Sequence, residues 1–316
     1  MQHLIESYSY KDADRISKFL LNYRDTVDYR YIFASKEWIL SFLEIYKPQQ
    51  NFLIQSKNGR NYFALSALNS EIVFTGDPFN DFNAVFTRDS EDQYDFKDII
   101  KYFSDSGYKI NWTNLFESSL LRGLSESSEL KEGVVGLKIP NSGMTQSYDY
   151  LVSDRICRMY NRYSEGLEFC RIFGGDIKSN PNILKDLLST RHNKLLERKK
   201  DEYNLSFDKE FGDFITRIVG FSSIWENVFI DYCAERNDGL VMAASLNFIK
   251  DKSTICYLRA HAESGSKISY GLILDYWSNS KNFNESVKII DLTRGEESYK
   301  YRLGAIEYKL NNFVTI

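Results

Sequence analysis

Residues 291–300 read Asp-Leu-Thr-Arg-Gly-Glu-Glu-Ser-Tyr-Lys, directly after the short apolar run Val287 to Ile290. Carboxylates, a guanidinium, a phenol and an ammonium thus gather around one glycine where a strand is expected to end. In α/β proteins, ligands collect at strand ends that face a crevice. Asp291 is there a candidate general base, and Arg294 a planar fork for a carboxylate or phosphate. Tyr299 and Lys300 are candidates for orienting a substrate. The same composition also suits a solvated loop in which Arg294 pairs with Glu296 or Glu297. His261 follows the strand-like run Thr254 to Ala260. An imidazole, with its ordinary pKa of about 6.5, can take a proton near neutrality. His192, within a helical segment, is the third candidate base.

The elements around these groups suggest an anion site beside them. Gly265 to Gly271 leads from the Thr254–Ala260 strand into a helix predicted over Ile268 to Ser280. The unbonded N–H groups of a helix's first turn and the positive end of its dipole favour an anion. Lys267 would add a point charge there. The backbone of Ile268, Ser269, Tyr270 and Gly271 would line the anion, with Gly271 allowing close approach.

Upstream, Ser35 to Tyr46 has helical spacing, with Ser35 as N-cap and Pro48 as stop. Three strands are predicted over Asn51–Gln55, Asn61–Leu68 and Glu71–Thr75, with Lys57-Asn58-Gly59 as the first connecting turn. A helix over Asp95–Ser104 and a strand over Tyr108–Trp112 follow. Gly123 to Glu132 reads as a surface loop, Gly133 to Ile139 as a strand, and Gln146 to about Arg162 as an amphipathic helix. Then come a strand over Gly166–Ile172 and helices over Pro181–Lys200 and Phe207–Phe221. Three strands, Trp225–Cys233, Gly239–Phe248 and Thr254–Ala260, lead into the helix and strand already described. Helix, meander, helix, strand therefore occurs twice without detectable sequence identity between the halves. We place the domain boundary near residue 135, giving 1–135 and 136–316.

Composition bounds the partners. The 316 residues suit about two domains of ~150 residues. With 43% hydrophobic and 27% charged residues, the chain can bury sizeable cores. Aromatics on strand-like runs such as Asn61 to Leu65 read first as packing groups. A net charge of -4 argues against a duplex nucleic-acid ligand. Cys157, Cys170, Cys233 and Cys256 lack CxxC spacing and read as apolar thiols of a reducing compartment. No metal-ligand spacing, Ser/His/Asp elbow or P-loop appears, so no metal is expected. The N-terminus lacks a signal-peptide pattern and no apolar run approaches ~18 residues, so the expectation is a cytoplasmic protein with no membrane span, as monomer or homodimer.

Several of these stretches resemble, in the right order, motifs of the BioF2-like (cellulose-biosynthesis CelD-type) acetyltransferases of the GNAT superfamily. Asp291, Arg294, Gly295, Tyr299 and Lys300 fall on the family's Asp-Phe-x-Arg-Gly-x-x-x-Tyr-Lys pattern, with Leu292 in place of the Phe. Ser269-Tyr270-Gly271-Leu272-Ile273-Leu274 is similar to its Ser-Pro-Gly-x-Leu-Leu helix opening. Leu188-x-x-x-His192 resembles a helix in which Arg-Trp follows the histidine, although Leu195 and Leu196 stand in those positions. Phe33 to Trp38 is similar to the N-terminal helix motif Phe-x-Ser-x-x-Trp, and Gly76 to Phe82 to the turn Gly-x-Pro-x-x-Asp-Tyr. The resemblance implies an α/β protein of mixed sheets with tandem GNAT-like domains, as in the Fem aminoacyl transferases. It also implies acyl transfer, with acetyl the first choice, from acyl-CoA as co-substrate to an amine or hydroxyl of a sugar, polysaccharide precursor or other envelope metabolite. Lys267 to Gly271 would then hold the donor pyrophosphate. The alternatives are a Fem-like aminoacyl transferase and a non-catalytic GNAT-shaped scaffold.

Overall fold

The computed structural model describes residues 4–21, 29–56, 62–77, 79–84, 96–116, 124, 129–141, 147–198, 205–221, 227–262 and 268–315. These divide into two compact units, Met1–Gly136 with Tyr308–Ile316, and Leu137–Glu307. The predicted turn at Lys57 to Gly59 and the pyrophosphate candidate Lys267 lie outside the described residues.

The first unit opens with β1 (Leu4–Tyr8), α1 (Ala13–Leu21) and α2 (Lys36–Tyr46). The local sequence explains α2 at both ends. The Ser35 hydroxyl accepts from the Trp38 N–H at 3.3 Å, and Lys47, with φ of 46°, closes the last turn by donating its N–H to Leu43 O. Next are β2 (Gln50–Gln55), β3 (Tyr62–Leu68), β4 (Glu71–Phe74), α3 (Phe96–Asp105) and β5 (Lys109–Phe116). β6 (Leu130–Pro140) starts in this unit and ends in the second.

The second unit continues with α4 (Asp154–Tyr163), β7 (Leu167–Phe173), α5 (Gly174–Ser179), α6 (Pro181–Arg198) and α7 (Leu205–Gly220). Then come β8 (Val228–Glu235), β9 (Val241–Lys250), β10 (Ser253–His261), α8 (Tyr270–Asn284), β11 (Ile289–Arg294) and α9 (Ser298–Arg302). β12 (Ile306–Val314) runs back into the first unit.

Two of the expected elements are displaced from the sequence reading near the site. The helix expected from Gln146 begins only at Asp154, because Tyr148 is buried in a separate 3-10 turn and donates its hydroxyl to Leu303 O at 2.9 Å. A tertiary bond there outweighs helical periodicity. The last strand of the meander pair is shifted as well. Val287 N–H closes the end of α8 on Asn282 O, so β11 runs from Ile289 through Asp291 to Arg294. The first four residues of the charged run, Asp291 to Arg294, are therefore strand, and Ser298–Arg302 is helix.

Each unit repeats one topology. In the first, β1, β2, β3 and β4 are successively antiparallel, and β5, reached through α3, pairs parallel with β4. β12 then adds antiparallel to β5. In the second, β7, β8, β9 and β10 are successively antiparallel, and β11, reached through α8, pairs parallel with β10. The first core is largely aromatic: Phe63, Phe74, Phe103, Trp112 and Phe313 are buried together, with Trp112 and Phe313 rings 5.7 Å apart. Under α8 the second core is mainly aliphatic, built from Leu137, Ile139, Ile156, Ile290 and Leu292.

Candidate functional site

Both parallel pairs part early. β4 and β5 are in register only at Glu71↔Lys109 and Ile72↔Ile110. β10 and β11 share only Ser253↔Ile289, Thr254↔Ile290 and Ile255↔Asp291. A bulge between Cys256 and Leu258 then bends β10, which stays on β9 as far as His261↔Ala243. Strands that separate in this way expose N–H and C=O groups along an opening, where an extended ligand can bond to them.

In the first unit the chain itself fills that opening. Asn83 N–H donates to Asn114 O at 2.8 Å, and Phe116 N–H donates to Asn83 O at 2.9 Å. Asn83 thus stands as a one-residue parallel strand against Leu115. Its side-chain amide donates to both Asp77 carboxylate oxygens at 3.1 Å and to Thr113 O at 2.8 Å. Asn80 links this network to the Trp38 indole at 2.6 Å. The cavity left beside it measures only about 10 Å³. Gly76 makes the turn into this seal with φ of +107°, and a Cβ there would lie 2.5 Å from Asn80 Oδ1 and 2.7 Å from Trp38 Nε1. Gly76→Ala is expected to destabilise the first unit by on the order of 3 kcal/mol, from backbone strain plus a broken buried hydrogen bond. Equilibrium urea unfolding checks this, and an unchanged midpoint would show that the seal is not held as described.

In the second unit a cavity of about 260 Å³ lies between α6 and the adjoining ends of β9 and β10. Asp186, Thr190 and Asn193 line it from one helical face of α6, and Val241 to Ala243 and Ala260 to Ala262 from the strands. His261 belongs to that lining and also reaches the first turn of α8. Its Nδ1 is 3.0 Å from where a Cβ on Gly271 would stand. A side chain there would crowd the ring, so a glycine lets the imidazole lie close against the helix start. Ser269 is the N-cap residue of α8 but makes no side-chain capping bond, and the first turn carries no acidic residue. Ile268 and Ser269 lead into α8, Tyr270 and Gly271 begin its first turn, and Gly271 lies against His261.

The charged run is organised differently from a solvated loop. Asp291 is fully buried, and its Oδ1 accepts from Thr293 N–H at 2.8 Å. Thr293 has φ of +61°, a strained conformation for a β-branched residue that this bond helps to hold. The Lys300 side chain is 4% exposed, and its ammonium donates to Arg294 O at 2.7 Å and to Gly295 O at 3.3 Å while pairing with Glu297 at 3.0 Å. Asp291 and Lys300 thus brace the end of β11. Arg294, half-buried, occupies the last position of that strand. Tyr299 lies under the Arg259 guanidinium, 4.2 Å from Cζ to the ring centroid.

His192 is on α6 but outside the cavity lining, one residue from Asn193. Arg259, its ion-pair partner Asp275 and the cavity face of α6 carry no sequence motif. The helical spacing of Asp186, Thr190 and Asn193 was the one available signal for that face. The Cys233 and Cys256 thiols are poor nucleophiles, since burial pushes both up to about 12. Among the described residues no cluster of His, Cys, Asp and Glu could hold a metal, and no helix is long and apolar enough to cross a membrane.

No protein-family model matches the chain, and no curated protein matches it in sequence. Solved structures do. The C-terminal domain of a putative lysylphosphatidylglycerol synthetase from Agrobacterium fabrum aligns with a TM-score of 0.61 at 12% identity, covering 96% of this chain and 92% of that one. L-PGS from Bacillus licheniformis aligns at 0.58 and 10% identity, covering 89% and 92%, and FemX at 0.55 and 8%, covering 99% and 97%. The chain carries a tandem GNAT-like fold. At these identities the likeness is one of fold, expressed as an antiparallel meander, a helix and a parallel strand in each unit. In the second unit the cavity and the β10–β11 opening both involve the C-terminal end of β10, at Ala260 and His261.

Proposed function

We propose that the second unit transfers an acyl group, acetyl as first choice, from a coenzyme A thioester to an amine or hydroxyl, in the manner of the BioF2-like acetyltransferases. The observation that carries this reading is the juxtaposition of the β10–β11 opening, the first turn of α8 and a cavity sharing His261. The α8 N–H groups would receive the donor's pyrophosphate and the cavity would receive the acceptor. As the acceptor nitrogen or oxygen bonds to the thioester carbonyl carbon, the C–S bond breaks. His261 takes the acceptor's proton, and the departing thiolate is protonated. Asp291 and His192, the other candidate bases, have less support, since Asp291 braces its own strand and His192 is off the cavity. The cavity suits a compact acceptor such as a sugar or other envelope metabolite in the cytoplasm.

A second reading, aminoacyl transfer, is favoured by the names of the structural neighbours, a lysylphosphatidylglycerol synthetase domain and FemX. Thermal-shift titrations with acetyl-CoA, free CoA and aminoacyl-tRNA separate the two. Stabilisation by acetyl-CoA and CoA supports the first, whereas a response to aminoacyl-tRNA alone replaces it with the second. Gly271→Asp adds a carboxylate at the donor's end of α8 and crowds His261, yet an acidic first turn suits the helix dipole. The variant should fold normally and bind CoA at least about tenfold more weakly, a loss of roughly 1.4 kcal/mol. Unchanged affinity in calorimetry would remove this helix from the donor site.

A further inference from the structure

Arg259 lies two residues before His261 on β10 and so points to the same side of the strand. Its guanidinium is ion-paired with Asp275 of α8 and stacked on the Tyr299 ring of α9. Asp275 is four residues beyond Gly271, one turn further along the same helical face, and Gly271 faces His261. Arg259–Asp275 and His261–Gly271 are therefore successive rungs between one strand and one helix. Tyr299 belongs to the other side of the opening, because its neighbour Lys300 is bonded to the carbonyls at the end of β11. Past Ile255↔Asp291 no backbone register joins β10 to β11, and the Arg259–Tyr299 stack connects them instead. The Arg259 and Asp275 side chains are 24% and 14% exposed, which limits competition from water.

We infer that Arg259 is the positioning residue of this site: through Asp275 it holds His261 against the first turn of α8, and through Tyr299 it sets the separation of β10 and β11. Its kinetic consequence rests on the acyl-transfer reading, whereas its structural consequence does not. A lysine preserves the charge and the pair with Asp275 but lacks the flat plane that stacks on Tyr299. Arg259→Lys should therefore keep His261 in place and alter the opening, whereas Arg259→Met releases both and Asp275→Asn releases His261.

The chain has three histidines, so the ring NMR signals of His261 can be assigned by their loss in His261→Gln. In Arg259→Met and Asp275→Asn the His261 signal should leave its wild-type position while those of the other two histidines stay, and Arg259→Lys should restore it. With acetyl-CoA as donor and glucosamine as probe acceptor, kcat should fall about 10²-fold in Arg259→Met with KM little changed, the size of effect that a small misplacement of a reacting group produces. An unmoved His261 signal in both folded variants would overturn the inference whatever the activity. Wild-type protein that fails to transfer acetyl, combined with the expected signal changes, would instead remove the acetyl donor and leave the positioning role standing. Should Arg259→Met not fold, Asp275→Asn decides the matter on the same signal.

Discussion

His261→Gln is expected to lower kcat for acyl transfer by about 10²- to 10⁴-fold, the usual contribution of a positioned proton acceptor. Glutamine keeps the reach and polarity of the side chain but takes no proton near neutrality. The half-buried ring lies against Gly271 at the edge of the cavity, so the exchange should leave the unfolding temperature close to that of the wild type. Single-turnover assays over a range of pH give the cleanest measurement. The limb of the pH profile that reports the free base should vanish with His261 and persist in Asp291→Asn. A variant that retains full activity per folded molecule would return the role of base to Asp291 or His192.

The second large effect is one of stability. Arg171 and Asp231 form a bidentate pair across β7 and β8 at 2.7 and 2.8 Å, with side chains 3% and 0% exposed. Ser278 of α8 donates to the same carboxylate, and Glu285 holds the remaining side of the guanidinium at 2.8 Å. Asp231→Ala leaves a buried guanidinium facing an empty site, and removing one partner of such a pair costs about 3–5 kcal/mol. For a unit of this size that corresponds to a fall in unfolding temperature of roughly 10 °C. Calorimetry on the variant checks it. A shift of a degree or two would mean that Glu285 and water compensate for the lost carboxylate, and that the pair contributes little to holding α8 on the sheet.

Much of the fold is legible in the sequence because short-range chemistry decides it. Ser35 with Pro48 frames α2, and the β-rich runs of both meanders appear within a few residues of their positions. Other elements depend on partners far along the chain. β1 is five residues long and β12 alternates irregularly between exposed and buried positions, so neither stands out by pattern. The Tyr148 turn is fixed by Leu303, which no local signal announces. That His261 ends a strand and Gly271 stands in the first turn of a helix was readable from the local pattern. The charged run was readable as a special place but not as a buried one. That Lys300 turns inward to three backbone carbonyls follows from the left-handed turn at Thr293 and Gly295, a conformation that threonine does not advertise. Arg259 was hidden because stacking and ion pairing across three elements leave no spacing in sequence.

The return of Tyr308–Ile316 to the first unit makes residues 137–307, in chain terms, an insertion within it. Leu310 and Phe313 of β12 are each 1% exposed, and their strand covers the edge of β5 beside Trp112. During synthesis the ribosome delivers the whole second unit before that strand emerges. The first unit must therefore wait with an open β5 edge and an uncovered aromatic core. Of the two units, the one whose synthesis starts earlier is completed later, so nascent chains arrested before residue 308 should be the ones that engage chaperones and aggregate.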